Sequence, residues 1–364
     1  MGTVGFSLRR HYAKRRRSRF LEALRRASYP HPYPDGWYRL GASKSLRRGQ
    51  VRYLECLGRA LAVWRGKDSG EVFVTGAFCP HLGANLAHGQ VRGDCIECPF
   101  HAWHFAGDGR AVSAPYSATV PARPTAESFP AEEVHGQIFI YHRGGGAKQR
   151  ADEEVPYPVP RVREIDDGSF AYRGHYNAGR VHAHVIEAME NASDYAHFDY
   201  LHRQVRFPWT QIPVPGFEQE HSLRLGFDED SHAVRKVLQS ESVITFAGRQ
   251  IERTRANTTV TLTGAGSILN FRVALRGVGE VELILTQLPV APLCQQVDFR
   301  WFSDRNVPRL LAWYAVGSIV SQYRRDVAIW EAKIFRESPT LCRNDGPVMP
   351  LRRWYSQFFP RQSS

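Results

Sequence analysis

Two short segments of the chain each offer one thiol and one imidazole. The first reads Cys79-Pro-His81, and the second, after sixteen intervening residues, reads Cys98-Pro-Phe-His101. Thiolates suit iron bound to inorganic sulfide, and two neutral imidazoles on one iron raise the reduction potential of such a cluster. The pattern therefore predicts a [2Fe-2S] cluster held by Cys79, His81, Cys98 and His101.

A structural zinc site is the alternative, because two cysteines and two histidines would also satisfy tetrahedral Zn²⁺. In a zinc finger the cysteines form one short motif and the histidines another, whereas here each segment is mixed. Three nearby glycines supply the turns that a tight cage of two loops requires: Gly83, Gly89 and Gly93. The spacing favours the cluster, and His88 and His104 are interpreted as surface or supporting histidines.

A second group of polar residues reads Asn191-x2-Asp194-x2-His197-x4-His202. Two imidazoles and one carboxylate on one face of Fe(II) leave positions open for O₂ and substrate. On an ideal helix a separation of five residues rotates about 140°, so we predict that the helix ends or distorts between His197 and His202. Alone, this pair would most simply be two structural histidines; beside the first motif it predicts a mononuclear iron site.

The carboxylate ligand is expected far along the chain, on a long helix predicted from about Pro308 to Glu337. The helix has an apolar stripe with spacings of three and four residues, formed by Val320, Tyr323, Val327, Trp330 and Ile334. Asp326 projects from this stripe, three residues after Tyr323 and four before Trp330. A buried carboxylate must be paired with a charge or a metal, so Asp326 is the predicted third ligand.

Three other interpretations of the carboxylates stay open. Asp326 could form an ordinary ion pair with Lys333 or Arg325. Glu331 is the rival ligand, although it lies off the apolar stripe. Asp199 lies between the two histidines and is expected to be exposed.

Composition and charge limit the class of protein to which the chain can belong. The chain has 364 residues, 43% of them hydrophobic, as expected for a globular protein of two domains. Its formal net charge is +12. Residues 1–26 are rich in Lys and Arg, so this leg either is a solvated tail or binds an anionic membrane face or nucleic acid. No apolar stretch reaches the 18 residues of a membrane span, and no signal peptide or disulfide framework is apparent.

The expected fold class is α+β, with an all-β domain followed by a helix-grip, START-like catalytic domain. We divide the chain into a basic leg (1–32), a cluster domain (33–145), a linker (146–160) and a mononuclear iron domain (161–364). Strands are predicted at Trp37–Leu40, Gln50–Leu57, Arg59–Arg65, Val72–Thr75, Gln137–His142, Thr258–Thr263, Ser267–Leu275 and Glu280–Pro289. Val181–Leu201 has a helical rather than an alternating pattern.

The cluster segments, Cys79-Pro-His-Leu-Gly-Ala84 and Cys98-Pro-Phe-His-Ala-Trp103, resemble the loops of Rieske non-haem iron oxygenases. Respiratory Rieske proteins carry a disulfide between these loops, but the corresponding positions here are Ala84 and Phe100. Three longer segments resemble the cholesterol 7-desaturase (Neverland) family and, more distantly, bacterial 3-ketosteroid 9α-hydroxylase oxygenases. They are Pro34-Asp-Gly-Trp-Tyr-Arg-Leu40, Gly93-Asp-Cys-Ile-Glu-Cys-Pro-Phe-His101 and Asp345-Gly-Pro-Val-Met-Pro-Leu-Arg-Arg-Trp-Tyr-Ser-Gln-Phe358.

The resemblance implies roles for individual residues. His197, His202 and Asp326 match the iron triad of these oxygenases. Asp194 matches the residue that links a cluster to the iron of a neighbouring subunit in a ring-shaped homotrimer. Asn191 lies in the same motif, near the iron.

The resemblance also implies an activity, the desaturation of a sterol at C7–C8, cholesterol to 7-dehydrocholesterol. It would use O₂ and electrons from NAD(P)H through a separate ferredoxin or reductase, since the chain lacks a GxGxxG fingerprint. The alternatives are a steroid hydroxylase or sterol dealkylase, and a non-catalytic iron-sulfur electron carrier. The expected location is the cytoplasm or the cytosolic face of a membrane, contacted peripherally through the basic leg, with no nucleic-acid partner.

Overall fold

The structure is a computed structural model that describes residues 19–120, 126–144, 151, 154–226 and 233–360. Most of the basic leg, residues 1–18, lies outside the described residues. So do position 145, the last of the predicted cluster domain, and positions 146–150 and 152–153 of the predicted linker. Among the described residues, no helix combines the length and the apolarity that crossing a bilayer requires.

The first half of the described chain is built from short antiparallel strands after one helix, α1 (Arg19–Ser28). The strands form a three-stranded sheet in the order β1-β11-β10 and two four-stranded sheets, β2-β3-β4-β9 and β5-β6-β7-β8. Their bounds are β1 (Gly36–Ala42), β2 (Val51–Cys56), β3 (Arg59–Arg65), β4 (Val72–Gly76), β5 (Gln90–Arg92), β6 (Cys95–Glu97), β7 (His104–Ala106), β8 (Ala111–Ser113), β9 (Ser128–Phe129), β10 (Ala131–Val134) and β11 (Gln137–His142).

Apolar β-formers explain why this half was predicted to be all-β. Every residue of β11 is buried, and β3 buries Leu61, Ala62, Val63 and Trp64 along its centre. β2 and β3 are joined by a tight turn in which Leu57 and Gly58 both have positive φ. The predicted strands in this half are confirmed, two of them to the residue.

The second half is one large antiparallel sheet in the order β12-β20-β19-β18-β17-β15-β14-β13, with β16 paired to β15. The strands are β12 (Phe170–Val181), β13 (Gln204–Arg206), β14 (Pro213–Gly226), β15 (Arg235–Phe246), β16 (Arg249–Gln250), β17 (Ala256–Thr263), β18 (Ile268–Leu275), β19 (Gly279–Ala291) and β20 (Cys294–Asp304). The helices are α2 (Arg163–Asp166), α3 (Ile186–Asn191), α4 (Arg309–Trp330) and α5 (Val348–Tyr355). The predicted α+β class is confirmed, with α4 as the long helix against the sheet.

The predicted end of the long helix was wrong: α4 ends at Trp330, not at Glu337. A distant side chain caps this end, because Arg25 of α1 donates hydrogen bonds to the carbonyls of Trp330 (2.8 Å) and Lys333 (2.9 Å). Arg25 is 1% exposed, so the end of the basic leg is packed into the protein and is not a solvated tail. A buried guanidinium here satisfies the carbonyls that a helix end leaves open.

The segment Val181–Leu201 was predicted to be helical throughout, and this was wrong in its first part. β12 extends to Val181, and α3 begins only at Ile186. β12 pairs with β20 as far as Val181, and residues 182–185 belong to neither a strand nor a helix.

The two halves share one core. Trp37 Nε1 donates to the carbonyl of Tyr157 (2.7 Å), and Leu57 N donates to the carbonyl of Pro289 (2.8 Å). Arg39 forms a largely buried ion pair with Asp298 at 2.9 Å. These contacts hold the small sheets against one end of the large one.

Candidate metal centres

The four predicted cluster ligands lie on two neighbouring loops. Cys79 and His81 follow β4, and Cys98 and His101 lie between β6 and β7. Each loop closes on its own backbone: Cys79 N donates to Ala84 O (2.8 Å), and Cys98 N donates to Trp103 O (2.8 Å). Short hairpins that the sequence analysis did not find therefore set the loop positions.

The residues of the two loops fit a cluster. Both cysteines are 3% exposed, and burial raises the pKa of Cys79 to about 11. A buried thiolate pair is stable only beside a cation, as bound iron would supply. The rings of His81 and His101 lie 5.0 Å apart, and the buried Nδ1 of His101 has no hydrogen-bond partner among the described residues.

Contacts around the loops distinguish the proposed ligands from the other two histidines nearby, His88 and His104. His104 is bonded through Nε2 to Glu97 (2.9 Å) and through Nδ1 to Ser113 (2.9 Å), while His88 is exposed. His81 stacks on Trp103 with ring centroids 4.9 Å apart. All six cysteines are free, in keeping with the expected lack of a disulfide between the loops.

Exposed apolar side chains surround the loop tips. We call this set the exposed rim; it consists of Phe78, Leu82, Phe100 and Tyr116, each more than half exposed. Isolated surface apolar residues need no explanation, but a contiguous set marks a contact surface.

The second predicted group also converges. His197, His202 and Asp326 each offer a ligand atom, and these atoms lie within 4.8 Å of one another. We call these residues the triad. His202 and Asp326 are buried, at 3% and 7% exposure, while His197 is partly buried.

A π-helical turn at Phe198–His202 brings the two histidines together. Hydrogen bonds in a π-helix join residues five apart, so positions i and i+5 share a side, unlike in an α-helix. The ring centroids of His197 and His202 are accordingly 5.0 Å apart. The predicted distortion between them is confirmed.

Backbone and amide groups orient His197. Its Nδ1 lies 2.5 Å from the carbonyl of Asp194, an acceptor that requires the proton to be on Nδ1. Its Nε2 therefore keeps a lone pair and lies 3.1 Å from the Asn191 amide nitrogen. Burial lowers the pKa of His197, which favours the neutral imidazole that a metal needs.

His202 and Asp326 approach as two ligands of one cation would. His202 Nε2 and an Asp326 carboxylate oxygen are 2.9 Å apart, yet that oxygen makes no hydrogen bond within the described residues. Two buried groups that face one point in this way fit the ligands of a bound metal.

The open alternatives for the third ligand can now be compared. Lys333 pairs with Glu187 at 2.7 Å, and Glu331 accepts from His182 N at 2.8 Å. Asp199 is exposed on the π-helical turn, as expected. The structure thus leaves Asp326 as the carboxylate beside the two histidines.

The C-terminal segment supports the triad, which the sequence analysis did not foresee. Tyr195 N donates to Asp345 O (3.2 Å), and the Tyr195 hydroxyl accepts from Leu225 N (2.6 Å). Gly346 has φ +92°, and a Cβ there would lie 2.1 Å from Ser193 O. Only glycine fits this approach.

Two residues of the triad, His202 and Asp326, line a cavity of about 470 Å³ between α4 and the large sheet. The sheet contributes mostly apolar side chains: Leu238, Val260, Leu262, Leu269, Phe271, Val273, Leu285 and Phe299. α4 contributes Leu311, Ala315, Ile319, Tyr323 and Trp330. Such a cavity binds an apolar small molecule with few polar contacts.

One polar residue of the cavity wall was missed entirely, His221 on β14. Burial, together with His202 and His197 nearby, lowers its pKa to about 4. It is a lone histidine in a polar stretch, so no spacing in the sequence could have found it.

Two family models together match most of the chain. A Rieske [2Fe-2S] domain model matches residues 36–125, and a 3-ketosteroid 9alpha-hydroxylase C-terminal domain model matches residues 148–359. The first contains all four predicted cluster residues, and the second contains the triad.

Similar proteins include two named cholesterol 7-desaturases. That of Xenopus laevis is 35% identical over 348 residues, covering 92% of this chain and 73% of the relative. That of Caenorhabditis elegans is 32% identical over 386 residues, covering 100% and 86%. A 3-ketosteroid-9-alpha-monooxygenase oxygenase component of Rhodococcus rhodochrous is 27% identical over 340 residues, covering 91% and 85%.

Solved structures share the fold at low sequence identity. Dicamba monooxygenase bound to dicamba is 17% identical with a TM-score of 0.61, covering 89% of this chain and 96% of that chain. Pseudomonas putida NdmA with caffeine is 17% identical with a TM-score of 0.62, covering 88% and 89%. With its Rieske domain, its steroid-hydroxylase-type C-terminal domain and these relatives, the chain belongs to the cholesterol 7-desaturase family of Rieske-type oxygenases.

Proposed function

We propose that this chain desaturates a sterol at C7–C8, converting cholesterol to 7-dehydrocholesterol. One sterol, one O₂, one NAD(P)H and one proton would give the dehydrosterol, two waters and NAD(P)⁺. The observation that carries the proposal is the largely apolar cavity lined by His202 and Asp326, two of the three triad residues. Relatives named cholesterol 7-desaturase, at 30–35% identity, support the choice of substrate.

The proposed ligands are Cys79, His81, Cys98 and His101 for a [2Fe-2S] cluster, and the triad for Fe(II). When bound, the cluster supplies single electrons, and the ferrous ion supplies O₂ activation at positions that three ligands leave open. We propose that the electrons come from NAD(P)H through a separate ferredoxin or reductase.

The residues around the triad position it and keep water away. The carbonyl of Asp194 accepts the Nδ1 proton of His197, so the Nε2 of His197 faces the other two triad residues. Asn191 lies against the same ring and limits its rotation. Apolar side chains of the sheet and α4 exclude water and bind the fused rings by burial, which is worth about 25 cal/mol per Å² of apolar surface.

Hydroxylation or dealkylation of a steroid is the second candidate. The steroid-hydroxylase C-terminal model and the Rhodococcus relative favour it, and it would use the same residues. The two reactions differ in whether the substrate gains oxygen or loses a second hydrogen.

Product analysis tests the proposal. Purified chain, ferredoxin, reductase and NAD(P)H are incubated with cholesterol under air, and sterols are analysed by mass spectrometry. A product two hydrogens lighter supports desaturation, while a product with one added oxygen supports the hydroxylase. Absence of any product with a fully loaded protein would favour the non-catalytic electron carrier.

We also propose a homotrimer and peripheral contact with the cytosolic face of a membrane. The exposed rim around the cluster loops supports a protein partner at that place. α1, at the end of the basic leg, exposes Phe20 (77%) and Leu24 (41%) beside Arg26, as a helix on an anionic lipid surface would.

A further inference from the structure

His221 differs from the other polar residues of the cavity wall. It lies on β14 with Gln219, two residues earlier, on the face that lines the cavity. Both of its ring nitrogens are buried, and neither has a hydrogen-bond partner among the described residues. The Phe198 ring of the π-helical turn lies 5.1 Å away.

The neighbouring polar side chains already have partners. Gln322 Nε2 donates to Gln219 Oε1 at 3.0 Å, and Thr254 Oγ1 donates to Ile251 O at 2.7 Å. Ser242 is the cross-strand neighbour of His221 in the β14–β15 register and also lines the cavity. His221 and Ser242 thus form a polar patch on two neighbouring strands of a cavity wall that also includes other polar side chains.

A buried polar group costs free energy unless it is hydrogen-bonded. No described protein group bonds the nitrogens of His221, and the residue lines the cavity, so a ligand bound there is the candidate partner. A neutral imidazole offers one donor and one acceptor, and a serine hydroxyl offers both as well. An alcohol group could therefore donate to one of these residues and accept from the other.

We propose that His221 and Ser242 form a subsite for the ring hydroxyl of the sterol. This inference rests on the proposed function and adds how the substrate is oriented. The hydroxyl at C3 and the reacting carbon C7 lie in adjacent fused rings of a rigid molecule. A polar patch beside the triad can therefore bind the hydroxyl while C7 faces the metal ligands.

Equilibrium binding tests the subsite without turnover. The full chain is titrated with cholesterol and with cholest-5-ene, which lacks only the hydroxyl, and tryptophan fluorescence is followed. We expect the native protein to prefer cholesterol roughly tenfold, as one or two hydrogen bonds allow. In His221→Leu this preference should disappear, and in Ser242→Ala it should fall a few-fold.

His142 provides a matched control, because its two ring nitrogens are also buried without partners, but in the first half of the chain. His142→Leu should leave the preference for cholesterol unchanged. The thermal midpoint of His221→Leu without sterol should not fall, since the substitution removes a buried unpaired group. A histidine with a purely structural role would show the opposite, a lower midpoint and an unchanged preference.

The outcomes separate this inference from the proposed function. Equal binding of both sterols by the native protein would overturn the subsite alone. A preference retained by both His221→Leu and Ser242→Ala would do the same. Failure of the native protein to bind either sterol would overturn the proposed function, and the subsite with it.

Discussion

Single buried side chains prepare the two candidate centres for metal. Burial favours the neutral imidazole of His197 and disfavours the thiolate of Cys79, so one ligand is ready for metal and the other must lose a proton. His202 and Asp326 face each other without a hydrogen bond. Both centres are therefore completed by a cation and not by protein contacts alone.

Asp326→Asn tests the triad at the level of one residue. The amide keeps the shape of the side chain but removes the anionic ligand, so iron affinity at this centre should fall at least 100-fold. Metal analysis should find two irons per chain in place of three, with an unchanged [2Fe-2S] absorption spectrum.

Glu331→Gln is the control for that substitution, because Glu331 lies just beyond the same helix and bonds His182 N. It should retain three irons per chain. Three irons in Asp326→Asn would show that Asp326 is not a ligand.

Glu164 gives a prediction for the pH dependence of stability. Two hydrogen bonds of 2.8 Å from Arg272 lower the pKa of Glu164 to about 2. A carboxyl group whose pKa is lowered in the folded state stabilises the fold at pH values above its unfolded pKa of about 4.5. This stabilisation is lost as the pH falls toward 2. After allowance for solvent screening, the contribution is about 1 kcal/mol.

Urea unfolding at several pH values measures this contribution. Glu164→Gln should lose less stability than the native protein between pH 5 and pH 2. Glu55→Gln, at an exposed position, should keep the native slope. Identical slopes for Glu164→Gln and the native protein would exclude the proposed contribution.

Among the elements, α4 depends most on a distant contact. Asp326 lies in the last turns of this helix, and Arg25 of α1 bonds the carbonyls that follow. The π-helical turn and α4 together set the geometry of the triad, so the end of α4 bears on iron binding as well as on stability.

Arg25→Met tests that contact. It removes hydrogen bonds to the carbonyls of Trp330, Lys333 and His182 and leaves buried acceptors, which should cost about 2–4 kcal/mol in the free energy of unfolding. Denaturant titration measures the loss. The control Arg26→Met removes only an exposed ion pair with Glu22 and should cost less than about 1 kcal/mol. Equal effects of the two substitutions would contradict the role of Arg25.

At the scale of the whole molecule, the four apolar side chains of the exposed rim remain open to solvent in the single chain. Apolar side chains around an electron-transfer site are expected to be covered by a partner. In the proposed homotrimer that partner is a second copy of the chain.

The double substitution Phe78→Ser with Leu82→Ser tests this assembly. Sedimentation should show a trimer for the native protein and smaller species for the variant, because apolar burial contributes most to association. Phe20→Ser with Leu24→Ser changes two exposed apolar residues of α1 and should sediment like the native protein. A trimer in both variants would show that the exposed rim is not part of the trimer interface.

Local sequence determined the parts of this protein that need only local contacts. Each cluster loop and the His197–His202 segment is short, so residue types and spacing were sufficient to select candidate ligands that the structure places close together. Strands such as β3 and β11 are apolar enough to be predicted from propensity alone. The distortion between the two histidines followed from helix geometry, which is also local.

The tertiary structure decided what depends on distant contacts. β12 and β14 contain many polar residues and glycines, and their pairing with β20 and β15 stabilises them as strands. The end of α4 is capped by Arg25, more than 300 residues earlier in the chain. His221 approaches the triad only because the large sheet packs against the π-helical turn and α4, and no spacing along the chain carries that information.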